Sequence, residues 1–503
     1  MVKNLGLLLP SVRLAGTVSA KLFAEDPVGF TAKVAEKFRM STNPVLHRGA
    51  RLLSGGLKRI SGSPLDAYCD AGEFTAGIQW AERQRRVSRR EAALVRVHRE
   101  KLERLRHDFP ARIPMRPAHT VVHYLTNSLP YTNSGYTLRS QKVLQAQNAA
   151  GIHATAMTRL GYPLVIGQFS RSQSDVVGGV TYHRMLPKDF PTSLTRRDAR
   201  ATQELVDFCR EQGAEALQTT TDYTNAIVVA EAAAVLGIPW VYEVRGELES
   251  TWASRRPPEA VDSEFYALAH AAETRAMLAA SHVVTLSEVS KRDVMARGVP
   301  EERITVVPNA VDDAQLEWVP DPARIAELRS SLGIAEDQIV VGAITSVVEY
   351  EGLDTLIRAA ELLPDKYVFV IVGDGTDRTR LEAMCSAKNV HFVGKKPQSE
   401  VLDWYALVDV FVIPRKDLAV TRKVTPIKGL QAQALGTPVV ASDLPALREV
   451  TGGVETYVIP ESPEDLARGI ADVAGTRNAR GVEWARQRSW SANSRRYQSI
   501  FLG

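Results

Sequence analysis

The hydrophobic rhythm of the chain changes once, near residue 117. Before that point apolar residues recur at helical spacing between Gly/Ser/Pro breaks such as Ser54-Gly55-Gly56 and Ser61-Gly62-Ser63-Pro64, and no strand pattern occurs. From Arg83 to Arg106, Val87, Leu94, Val95, Leu102 and Leu105 share one helical face in a segment with ten Arg/Lys against three Glu. This predicts an amphipathic, strongly basic helix, stopped by a stiff connector at Pro110, Pro114 and Pro117.

Beyond residue 117 short apolar runs alternate with helical patterns, the rhythm of a parallel sheet with crossover helices. The first series predicts a strand at Thr120–Leu125 and a helix at Leu138–Ala150. A further strand falls at Ala226–Ala230 or its upstream neighbour Ala216–Thr219, followed by strands at Trp240–Val244 and His282–Leu286. A second series predicts strands at Ile339–Ile344, Tyr367–Val372, Val390–Val393, Val410–Ile413 and Pro438–Ala441, and Trp484–Phe501 reads as a terminal helix. The plan is a basic helical extension over 1–117, an α/β domain over 118–315, a second over 316–483, and a helix over 484–503 able to pack back on the first.

Composition changes this picture in one respect. With 45% hydrophobic and 24% charged residues the chain is globular, which excludes collagenous and wholly disordered classes. Its net charge of +4 hides a segregation: residues 1–117 hold 22 of the 62 Lys/Arg and 11 of the 58 Asp/Glu, a local +11 against −7 for the rest. The basic extension, with its apolar helical face, is therefore expected to meet an anionic membrane surface; the equal alternative is a helical platform packed on the body of the protein, or a dimer contact, because apolar faces more often bury in protein. Basic charge alone carries no nucleic-acid recognition module, so no nucleic-acid partner is expected. Cys69, Cys209 and Cys385 lie far apart without a CxxC pair, which fits packed thiols in a reducing compartment. The run from Leu5 to Ala20 is interrupted by Pro10 and Arg13, so it suits neither a membrane span nor a good secretory signal. The expected location is cytoplasmic, peripheral on the inner face of the cell membrane.

Two segments could carry chemistry. Val372-Gly373-Asp374-Gly375 follows a strand and precedes a helix, where the backbone can approach a ligand at the carboxyl end of an open sheet. Ile413-Pro414-Arg415-Lys416, then Val424-Thr425-Pro426-Ile427-Lys428, reads as a loop and the start of a helix near Pro426. Free N–H groups there, with the charges of Arg415 and Lys428, suit a diphosphate.

At these segments the sequence resembles the family 4 retaining glycosyltransferases of the GT-B fold, two Rossmann-like domains facing a cleft, over roughly residues 119–501. The resemblance also rests on Ser134-Gly135-Tyr136-Thr137-Leu138-Arg139, Tyr242-Glu243-Val244-Arg245-Gly246, Val307-Pro308-Asn309-Ala310-Val311-Asp312, Tyr350-Glu351-Gly352-Leu353-Asp354 and the stretch Thr425–Asp443. The exopolysaccharide-type branch is the nearest pattern.

The resemblance implies a nucleoside diphosphate sugar as donor, a glycan or lipid-linked precursor as acceptor, and no metal or other cofactor. It places donor contacts at Gly373, Asp374, Gly375, Val393, Gly394, Thr425, Pro426 and Gln431, and acceptor-side contacts at Ser134, Arg139, Glu243 and Arg245. Arg415, Lys428 and Gly135 become the catalytic candidates, whereas Glu243, Arg245 and Glu249, which follow a strand, are expected to form an internal Glu/Arg ion pair ahead of any acceptor contact.

The chain also departs from the family. Ser346 and Glu351 stand where many members carry the Arg and Lys that bind diphosphate, and Lys423 and Gln431 stand for a pair of glutamates. Arg415 and Lys428 are the expected substitutes. The family's histidine segment reads Gln218-Thr219-Thr220-Thr221, without a base. The main reading is sugar transfer with retention; the alternatives are a catalytically degenerate GT-B scaffold or a nucleotide-sugar epimerase.

Overall fold

The computed structural model describes residues 63–503 apart from Arg171 and Asp189. The helical reading of residues 1–62 lies outside the described residues. The chain divides into two compact units, the first comprising the residues up to Val284 with Ala296–Thr305 and Gln498–Gly503, the second Thr285–Met295 and Val306–Tyr497.

In the first unit, helices Pro64–Ala71, Phe74–Glu82 and Arg89–Leu105 precede the sheet. The basic helix begins six residues later than the charge run, because Ser88 and Glu91 form a reciprocal capping box; Val87 is left outside it, exposed. Leu94, Val95, Leu102 and Leu105 are buried with Leu65, Phe74, Ile78, Ala81, Ala269 and Ala272. For this helix the structure decides between the two expectations: its apolar face packs on the body of the protein and does not meet a membrane. That face is spent inside the protein, where its burial removes it from water at no cost in exposed lipid contact.

The sheet consists of β1 (Thr120–Leu125), β2 (His153–Thr158), β3 (Ser174–Val177), β4 (Val180–Arg184), β5 (Ala216–Thr220), β6 (Trp240–Val244), β7 (His282–Thr285) and β8 (Ile304–Val306), in the order β3-β4-β2-β1-β5-β6-β7-β8. Strand β1 runs parallel to β2 and β5, while β3 pairs antiparallel with β4. The open choice between two strand positions resolves upstream. Ala226–Ala230 lie within helix Tyr223–Leu236, capped by the Asp222 side chain and ended by Gly237 in the left-handed conformation. That helix is apolar nearly all round because it is buried nearly all round.

The second unit has β9 (Ile339–Ile344), β10 (Tyr367–Val372), β11 (Val390–Gly394), β12 (Val410–Ile413), β13 (Val439–Ser442) and β14 (Thr456–Val458), ordered β11-β10-β9-β12-β13-β14 and parallel throughout. Two apolar layers flank this sheet, one around Leu356, Phe369 and Ile470, the other around Trp404, Phe411 and Leu447. Burial on both faces explains why its strands read as continuous apolar runs. The tail forms two helices, Ala479–Gln487 and Trp490–Phe501, and Ala118 N donates to the Phe501 carbonyl at 2.7 Å. Among the described residues no helix is long and apolar enough to cross a membrane.

Candidate functional site

In the second unit, three backbone segments crowd together beyond the carboxyl ends of β9, β10 and β12. Gly373 directly follows β10 with φ +144°, and a Cβ there would lie 1.7 Å from the Thr345 carbonyl oxygen; at Gly352, φ +69°, one would lie 1.9 Å from that of Pro414. Only glycine allows this approach. The Gly373 N–H donates to the Gly394 carbonyl at 3.0 Å, next to Val393 at the end of β11. The Asp374 carboxylate accepts from Gly375 N at 2.8 Å, and its carbonyl accepts from Val347 N at 3.0 Å. These glycine-turn residues thus first fix the turn that follows β9.

That turn carries Glu351, buried to 3% exposure. Its carboxylate accepts from Arg415 Nη2 at 2.9 Å and Nε at 3.3 Å, and from Lys428 Nζ at 2.8 Å. Lys428 also donates to the Thr345 hydroxyl, and Arg415 Nη1 to the Val424 carbonyl at 3.0 Å. Both cations come together as the sequence suggests, but they meet on a carboxylate. Burial alone would raise the Glu351 carboxyl; Arg415 and Lys428 outweigh it and hold it at about 2. Burial lowers Lys428 to about 8, with Glu351 pulling it up and Arg415 pushing it down.

This corrects the placement of Arg415 as a free diphosphate ligand. Its guanidinium is buried, at 6% side-chain exposure, and engaged by Glu351 and Val424, whereas Lys428 keeps 21% exposure and one N–H beyond its two partners. The following helix, Lys428–Ala434, starts two residues after Pro426. Thr425 and Pro426 are buried, the Thr425 carbonyl accepting from Asn309 Nδ2 at 3.0 Å. Gln431 Oε1 accepts from the buried Tyr405 hydroxyl at 3.0 Å, so one lone pair of the expected ribose acceptor is already used. Lys423 pairs with Asp293 at 2.9 Å, and Ser346 is exposed.

In the first unit, Ser134 caps helix Gly135–Ala149 in a reciprocal box with Thr137, and Gly135 is exposed with open space where a side chain would stand. Arg139, one turn on, donates from Nε to Glu243 Oε1 at 2.8 Å. Arg245 Nη2 donates to Glu243 Oε2 at 2.7 Å, and its Nη1 to the Tyr136 carbonyl at 2.8 Å and Ser140 Oγ at 2.9 Å. All three side chains are buried. Burial would raise Glu243, but Arg245 and Arg139 hold it at about 2. The internal ion pair expected of Glu243 and Arg245 is present, and it takes in Arg139 as well, in place of acceptor contact. In the Gln218 segment, Gln218 accepts from Gln147, which accepts from His123 Nε2 at 2.7 Å; burial lowers His123 to about 4, so it is a neutral core imidazole.

The residues missed from sequence are Thr345 and Glu351 as partners of Lys428. Glu351 is visible there only as a lost cation, because its role depends on β9 and β12 being neighbours.

Comparison with known proteins now adds identity to geometry. The family described as "Glycosyl transferase 4-like domain" matches residues 134–310, and that described as "Glycosyl transferases group 1" matches residues 337–475. The chain belongs to these glycosyltransferase families. It is 28% identical over 200 residues to the alpha-galactosylglucosyldiacylglycerol synthase of Streptococcus pneumoniae, covering 38% of this chain and 51% of that protein. It is 30% identical over 211 residues to the D-inositol 3-phosphate glycosyltransferase of Xylanimonas cellulosilytica, covering 40% and 49%. The chain thus spans about half the length of these relatives. Among solved structures, sucrose-phosphate synthase from Thermosynechococcus elongatus superposes with a TM-score of 0.58 at 16% identity, covering 76% of this chain and 98% of that one. Anabaena HepE in complex with UDP-glucose gives 0.57 at 17% identity, covering 75% and 98%. These likenesses show the GT-B type of fold, two parallel-sheet α/β domains.

Proposed function

We propose that this glycosyltransferase-family chain moves a sugar, with retention, from a nucleoside diphosphate sugar to a hydroxyl of a glycan or lipid-linked cell-envelope precursor. The observation that carries the reading is the Lys428–Glu351–Arg415 group beside the glycine turns of the second unit. One carboxylate and two cations leave one net positive charge, and the least enclosed member is Lys428. Departing diphosphate gains negative charge, so a fixed ammonium next to it lowers the barrier without need of a metal. The relative bound to UDP-glucose supports a uridine donor as the first to try.

A thermal-shift panel of nucleoside diphosphate sugars tests donor binding, because a ligand of the native state raises apparent stability. Analysis of the transferred anomer then tests retention and separates transfer from epimerisation. No shift and no turnover with any donor would favour the degenerate scaffold.

The contact with anionic membrane is proposed to be electrostatic. Arg83, Arg85, Arg86 and Arg89 are exposed on the turn before helix Arg89–Leu105 and at its first residue. Co-sedimentation with anionic vesicles should fall with salt and fall again when these four arginines are changed to glutamate; unchanged pelleting would remove the tether.

A further inference from the structure

Glu351 stands where a cation would serve a diphosphate directly, yet it is buried against the two cations that the site retains. A buried guanidinium and a largely covered ammonium close together repel and cost desolvation, and a carboxylate bonded to both offsets that cost. Arg415 is locked on three sides, to both Glu351 oxygens and to Val424. Lys428 is held by Glu351 on one side and the neutral Thr345 hydroxyl on another, leaving a single N–H for a ligand. The charged groups acting on the ammonium are Glu351, from the turn after β9, and Arg415, from the loop after β12. The nearby Lys416 is taken up by Asp354 at 3.4 Å and Glu349 at 3.8 Å.

We infer that Glu351 is a positioning residue for the donor: its carboxylate holds the Lys428 ammonium in place beside Arg415, so that a diphosphate meets one aimed cation. This rests on the reading of the second unit as the donor side. The consequence runs against simple charge counting. Taking a negative charge out of a phosphate site ordinarily strengthens anion binding. Here neutralising Glu351 removes the one negative charge that favours the charged form of Lys428, leaving only the neutral Thr345 hydroxyl against burial and Arg415, both of which favour loss of its proton.

The experiment titrates UDP, GDP and ADP into the parent protein, Glu351→Gln and Glu351→Asp across neutral to alkaline pH, with thermal unfolding to confirm that each is folded. In parallel, acylation of Lys428 by an amine-selective reagent is followed against pH by peptide mapping, a readout that needs no nucleotide.

The parent is expected to lose diphosphate affinity as pH rises through about 8, where Lys428 gives up its proton. Glu351→Gln should bind ~10-fold more weakly near neutral pH and show both the affinity loss and the acylation midpoint at lower pH. Glu351→Asp, which keeps the charge, should recover part of each. If the glutamine variant binds as tightly as the parent or tighter, and its acylation midpoint is unmoved, the inference is overturned. A parent that binds none of the three nucleotides while the midpoint still shifts in Glu351→Gln would instead overturn the donor reading and leave the positioning role standing. Should the glutamine variant not fold, Glu351→Asp decides: a partial fall in affinity with a small midpoint shift supports the inference, and parental values in both overturn it.

Discussion

Glu243 in the first unit and Glu351 in the second are buried carboxylates near the carboxyl edge of a parallel sheet, each bonded to two cations and each held at about 2. The groups differ in their outer members. Arg139 and Arg245 keep 6% and 3% side-chain exposure, and Arg245 spends its remaining bonds tying the start of helix Gly135–Ala149 to β6. In the second unit Arg415 is equally enclosed, but Lys428 keeps 21%. One arrangement is a closed pin and the other is open on a single side. The same charge pattern therefore separates two cases: a fully enclosed triad serves the fold, and an ammonium left partly exposed is what marks the second triad as the candidate site.

The comparison breaks most visibly at Glu243. Glu243→Ala would strand two buried guanidinium groups, and the first unit should lose about 3–5 kcal/mol in chemical denaturation. Both carboxylates lie below their unfolded values, so the stability they contribute is fully present above about pH 4.5 and is lost as pH falls towards about 2. Glu243→Gln should flatten the acid-unfolding profile of the first unit in that window.

Arg415→Ala is next. It should destabilise the second unit by about 1.5–3 kcal/mol, the worth of a charged hydrogen bond, and weaken nucleotide binding only in proportion to the disturbance of Glu351. Direct loss of affinity without loss of stability would restore Arg415 as a phosphate ligand.

Lys428→Ala sharpens the comparison from the open side. Glu351 keeps Arg415 as a partner when Lys428 is lost, so the stability change should stay at about 1–2 kcal/mol, while the affinity for nucleoside diphosphate should fall ~10-fold or more. Loss of turnover should exceed loss of binding, because the charge on the leaving diphosphate grows in the transition state. The smallest effect is expected at Gln431→Ala, a several-fold loss of donor affinity for one neutral hydrogen bond of about 0.5–1.5 kcal/mol, with the Tyr405 hydroxyl left unpartnered.

Much of this was legible from residues alone. Thr120–Leu125, Trp240–Val244, Ile339–Ile344, Tyr367–Val372 and Val410–Ile413 are strands with the expected limits, because a strand buried on both faces writes itself as an unbroken apolar run. The edge strands β3, β8 and β14 were not, since short, partly exposed edges carry no such run; nor were β4, whose burial alternates, and β2, buried at five of its six positions but written His153-Ala154-Thr155-Ala156-Met157-Thr158, where polar and small residues break the apolar pattern. The basic helix was legible as amphipathic, but what its apolar face covers was not: Ala269 and Ala272, which pack against it, lie more than 160 residues downstream.

The sequence by itself determined the alternation of strands and helices, the double α/β plan, the glycine turn at Gly373 and the presence of Arg415 and Lys428 near a sheet edge. These depend on local pattern and on chain order. Tertiary structure decided what those cations do. Strand order sets β12 beside β9, although β10 and β11 intervene along the chain. That adjacency brings Glu351 against Arg415, 64 residues away, and against Lys428, 77 residues away. Only this pairing distinguishes the closed guanidinium from the ammonium left partly open to solvent.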